Sequence, residues 1–137
     1  MKTAATIIQV LIRLLGLIMI VLGLLFWTGN ALTLIPVHML LGMTLVLLLW
    51  TQAVLAARAG AGASLVALGL VWGLVVVALG MMQNRLLPDE FHWVIKVLHL
   101  LVGIAAIGLA DRLAGRAKRD RLAAEPNDTT PRSISAR

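Results

Sequence analysis

Four uninterrupted apolar runs constrain this chain more than any other feature of it. They lie at about 7–27, 31–57, 65–82 and 91–110. Each is near the ~20 residues a helix needs to cross the hydrocarbon core of a bilayer. They are about twice as long as the strands of a membrane barrel and do not alternate apolar with polar, so helix is the expected element. The breaks fall at Thr28-Gly29-Asn30, at 58–62 and at 83–90, which contains Pro88; all are turn-rich or charged. The expected fold is therefore an all-α membrane protein. A four-transmembrane-helix up-down bundle would occupy 1–112, and a basic, largely disordered cytoplasmic tail would occupy 113–137.

Composition agrees with a membrane protein. With 61% apolar and 13% charged residues, the chain has too little polar surface to cover a soluble core of its size. It has no cysteine, which excludes disulfides, iron–sulfur clusters and thiolate zinc sites. It also has no tyrosine. The net charge of +6 does not point to nucleic acid, because most of the Lys and Arg lie just beyond the fourth apolar run. Basic residues there face anionic lipid and set orientation. Lys2, Arg13 and Arg58 fall on the same side as that tail, whereas the first connector is uncharged and the third sets Arg85 against Asp89 and Glu90. Positive-inside counting puts both termini in the cytoplasm and brings Trp27 and Trp93 near the outer interface. The first run follows a basic start, but it is long for a signal peptide and no clean small-x-small site follows it. It is retained as a helix.

The two halves of the chain resemble each other. Gly16 and Gly23 in the first run align with Gly73 and Gly80 in the third; His38 and Gly42 in the second align with His99 and Gly103 in the fourth. Two helices per repeat preserve direction, so the halves would be parallel repeats related by an axis along the membrane normal. His38 and His99 would lie at equal depth, roughly 10 Å below the outer interface at ~1.5 Å per residue. If the second and fourth helices face the axis, the two imidazoles meet across it.

A histidine inside a bilayer is costly unless partnered, which makes it a functional candidate. One reading of the pair is interhelical hydrogen bonding. The other is ligation of one metal, with haem b the leading candidate because its iron accepts an imidazole on each face. Gly42 and Gly103 lie one turn beyond each histidine, and Gly23 and Gly80 reach a similar depth, so the repeat could leave a flat slot lined by glycine. His92, Lys96 and His99 share a helix face. Lys96 lies one turn outward, where it could offset a haem propionate or simply snorkel; Arg85 could help it. His92 has no counterpart in the first half and reads as an interfacial residue. The methionines read as membrane filler; a Cu(I) site of His38 with a nearby Met is chemically possible but unfixed by spacing.

With His38–Gly42 and His99–Gly103 on alternate helices, the region 10–112 resembles the small four-helix b-type cytochromes of bacterial inner membranes, the cytochrome b561-like group. The resemblance implies a cytoplasmic-membrane protein that carries electrons, to or from quinol or a larger respiratory complex. That group commonly holds two haems on two histidine pairs. Here only three histidines exist and only two are symmetric, so a second such haem is not available within one chain.

Absences narrow the alternatives. No Asp or Glu falls inside the four runs as bounded above, which argues against a small proton-coupled exporter. No hydrolytic triad, metalloprotease motif or phosphate loop is present. The expected role is thus an electron carrier or a subunit rather than a stand-alone enzyme. The competing reading is a cofactor-free structural or accessory subunit of a larger membrane complex, and a homodimer is compatible with either.

Overall fold

The computed structural model describes residues 2–87 and 89–124. Four α-helices account for most of it: α1 (Lys2–Trp27), α2 (Ile35–Arg58), α3 (Ala63–Met82) and α4 (His92–Ala124). Short 3-10 turns at Leu32–Leu34, Gln83–Arg85 and Asp89–Phe91 join them. All four helices are long and apolar enough to cross a membrane.

The connectors form where the sequence supplies a terminator. Both α1 and α2 end in a Schellman turn, in which a glycine takes the left-handed conformation that side chains disfavour. At the end of α1, Gly29 has φ 78°, and the amide of Asn30 donates to the carbonyl of Leu25 at 2.8 Å. The Thr28 hydroxyl donates to the same carbonyl at 2.9 Å. At the end of α2, Gly60 has φ 92°, and the amide of Ala61 donates to the carbonyl of Ala56 at 3.0 Å. Proline in the first turn of α2 costs nothing there, because Pro36 lacks an amide that would have been unpaired anyway.

Two boundaries differ from the hydropathy reading. Helix α1 starts at Lys2, before the apolar run, and α4 continues past 110 to Ala124. At 33 residues α4 is roughly 50 Å long, more than the ~30 Å hydrocarbon core requires. Its extension stays helical because it is rich in Ala, Leu, Arg and Lys, all good helix formers. It also keeps a packed face: Leu109, Leu113 and Ala117 are all buried at helical spacing. The expected tail therefore begins as helix; from 125 onward, Pro126 included, it lies outside the described residues.

Helices α2 and α4 each touch all three other helices, whereas α1 and α3 do not touch each other. The second and fourth helices thus form the inner diagonal, which brings His38 and His99 face to face. The main core lies away from the histidines. It gathers Ile12 with Leu45, Leu49, Ala53 and Ala56 of α2 and Ala106, Leu109, Ala110, Leu113 and Ala117 of α4. Small residues let the helices approach closely there. Gly69 of α3 faces Leu113 and Ala53, and Gly73 lies directly under the Trp50 ring. In lipid, where no hydrophobic force draws helices together, such close packing is the main attraction between them.

Candidate functional site: a histidine pair

The pair forms because each imidazole is seated in its own half by a glycine. His38, in the first turn of α2, turns its Cε1 toward Gly23 of α1; a Cβ there would lie 4.0 Å away. His99 of α4 turns the same atom toward Gly80 of α3, where a Cβ would lie at 3.3 Å. The matched glycines and histidines of the repeat therefore make matched contacts. Gly23 and Gly80 serve as seats for the rings.

The two imidazole centroids are 6.4 Å apart with their planes at 50°. Nδ1 of each ring is buried and has no hydrogen-bond partner among the described residues. Burying a polar atom unpaired costs free energy, and these two are buried at one place. The ring of Phe26, at the end of α1, meets His38 edge-on at a centroid distance of 5.3 Å. Phe26 escaped the sequence reading, yet it lies three residues after Gly23, on the same helix face, and that spacing could have flagged it.

The remaining candidates are arranged less symmetrically. A Cβ on Gly103 would meet nothing within 4 Å, whereas one on Gly42 would sit 3.1 Å from Cε of Met19, the movable end of a flexible side chain. Lys96 and His92 are half-buried on α4 and follow the face of His99; Arg85 is exposed in the 3-10 turn after α3. Among the described residues no group of three or more His, Asp or Glu converges as a metal site would, so any ion here would rest on the two imidazoles.

Two other polar features lie beyond the histidines. Arg13 of α1 grips Asp111 of α4 with both arms of its guanidinium, Nε to Oδ1 and Nη2 to Oδ2 at 3.1 Å each. The amide of Gln9 donates to Oδ1 at 2.8 Å. Arg13, counted in the sequence only as an inward-side cation, is thus held in an ion pair between the first and last helices. The pair also places a carboxylate inside the longer apolar span His92–Arg119, one residue beyond the run 91–110 read from hydropathy. The repeat explains the position. In its register Asp111 corresponds to Trp50 and Arg13 to Leu70, and Trp50 Nε1 donates to the carbonyl of Leu70 at 3.1 Å. An indole ties α2 to α3 where an ion pair ties α4 to α1. The second feature is Gln52, completely buried in α2, with neither end of its amide partnered among the described residues.

A two-imidazole site can ligate one ion or exchange a proton. No family model matches the chain, and no curated protein and no solved structure matches it.

Proposed function

We propose that this chain is an integral protein of the bacterial cytoplasmic membrane, an up-down bundle with both termini in the cytoplasm. In this reading His38 and His99 would hold one haem b near the outer face, and the protein would carry electrons to or from quinol or a larger respiratory complex. The separation of the two rings carries the proposal. Metal–imidazole bonds are about 2.0–2.1 Å, so two ring centroids across a single ion stand roughly 6 Å apart. The observed 6.4 Å fits. A group between the rings would also answer the unpaired, buried nitrogens.

When bound, haem supplies one-electron chemistry at its iron. The protein's own contributions are separate from that. Gly23 and Gly80 fix the imidazoles, and Phe26 closes one side of His38 against water. The open face of Gly103 lets a flat ring come near the α4 backbone, while Gly42 does so once Met19 turns aside. Lys96 supplies a cation one turn outward for an acidic edge group.

The test is reduced-minus-oxidised absorption of the full chain, expressed with haem supply and purified in detergent. The expected result is the α and Soret bands of a low-spin haem, abolished by His38→Ala and by His99→Ala and retained in His92→Ala. A second reading, an accessory subunit with no cofactor, is favoured by the close seating of each ring on its glycine, which suits helix packing alone. A colourless, well-folded helical protein would select it.

A further inference from the structure

The geometry points to a binding groove for an anionic phospholipid between α3 and α4, at the end of the bundle away from the histidines. This inference rests on the membrane reading and is independent of haem.

The groove has a volume of about 280 Å³ and is lined by Leu68 and Trp72 of α3 and by Ala105, Gly108, Leu109 and Arg112 of α4. That is slightly below the roughly 300–1,000 Å³ of ordinary small-molecule sites, and it is open along one side, a shape suited to a length of acyl chain. Its walls are apolar because the one indole donor is already spent: Trp72 Nε1 donates to the carbonyl of Val102 at 3.1 Å. Gly108 makes the depth, since a Cβ there would meet nothing within 4 Å. The corresponding position in the first half of the repeat is Leu47, so only one of the two symmetry-related seams carries a glycine there.

Charge identifies the occupant. Among the described residues Arg112 is the only charged one lining the groove, and Arg116 and Arg119 follow it at spacings of four and three, all three exposed and on one face of α4. The neighbouring carboxylate, Asp111, is already gripped by Arg13 and Gln9 on the α1 side. An apolar slot that ends at guanidinium groups complements a ligand with a hydrocarbon tail and a phosphate at its head. Arginine suits phosphate because its planar fork can donate two bonds at once. In a membrane with its basic end inward, that ligand is an acidic phospholipid of the cytoplasmic leaflet.

Trp72 reports on its own groove. The full chain is reconstituted into phosphatidylcholine vesicles doped with phosphatidylglycerol brominated on its acyl chains, and compared with brominated phosphatidylcholine at the same fraction. Tryptophan quenching should favour phosphatidylglycerol by about fivefold in apparent affinity, the scale of one surface cation. Trp72→Phe should remove the preferentially quenched component. Gly108→Leu, which has room for its side chain, and Arg112→Gln should each reduce the preference to that of the basic tail alone. Equal quenching by both lipids in the unmodified protein would overturn the site while leaving membrane insertion intact. So would a preference left at full size by both Gly108→Leu and Arg112→Gln. Absence of quenching by either lipid would overturn the site together with the membrane reading on which it stands.

Discussion

Away from the histidines, from Leu45 and Val102 onward, the four helices close on Leu49, Ala53, Ala106, Ala110 and Leu113, all buried to within a few per cent. At the histidine end the same helices bury fully, among the described residues, only Ile95. One half of the bundle is thus held by interdigitated side chains and the other by two aromatic nitrogen rings resting on glycines. The contrast separates the packed core from the candidate site. Close packing of small residues holds the helices together at one end, and at the other the side chains fill the bundle less tightly.

The largest test of that division compares two glycines. A side chain at Gly73 would run into the rigid Trp50 ring and break its hydrogen bond to Leu70, whereas one at Gly103 would meet nothing. Gly73→Leu should destabilise by about 3 kcal/mol, at the upper end for overpacking. Gly103→Leu should stay within ~0.5 kcal/mol, as unstrained substitutions do, yet lower haem occupancy if a porphyrin approaches that face. Denaturant unfolding in detergent, followed by circular dichroism, gives both values. Equal costs would mean that the two ends are packed alike.

A smaller effect of opposite sign is expected within the packed half. Gln52 is wholly buried and both ends of its amide lack partners, while its counterpart in the repeat is Leu113. Replacing an unsatisfied buried amide by an apolar group of similar size removes a desolvation cost of about 1–3 kcal/mol. Gln52→Leu should therefore stabilise by roughly 1–2 kcal/mol and leave any haem spectrum unchanged. A loss of stability would mean that the amide has a partner in the membrane.

Much of this arrangement was legible in the chain itself. The four apolar runs located the helices, because hydropathy and length suffice to mark a membrane-capable segment. The aligned Gly23 and Gly80, His38 and His99 marked residues that the fold brings together, because a repeat places matched residues in matched surroundings. Other features were hidden for physical reasons. Hydropathy marks where the bilayer would end, not where hydrogen bonding along the backbone ends, so the extension of α4 to Ala124 was missed. The ion pair of Arg13 with Asp111 was lost in the same way, since the apolar run was bounded one residue before the carboxylate. Nor does a periodic pattern reveal that Met19 lies over Gly42 while Gly103 is left open; that depends on side-chain reach across helices.

The finest distinction lies within the histidine end, between its two seats. A Cβ at Gly80 would stand 3.3 Å from the His99 ring, tighter than ordinary contact, whereas one at Gly23 would stand 4.0 Å from the His38 ring. Alanine at Gly80 should push its imidazole by a few tenths of an ångström, and alanine at Gly23 should leave its partner in place. A ring displaced that little costs about 0.5 kcal/mol in torsion. If it ligates haem iron, the redox midpoint should move by ~20 mV for one electron at that energy, without loss of the α band. Gly23→Ala should leave the midpoint where it was. The direction of the difference matters more than its size. A shift confined to Gly80→Ala would tie the redox centre to His99 through its seat, whereas equal shifts in both variants would mean that the glycines act on the helices and not on the rings.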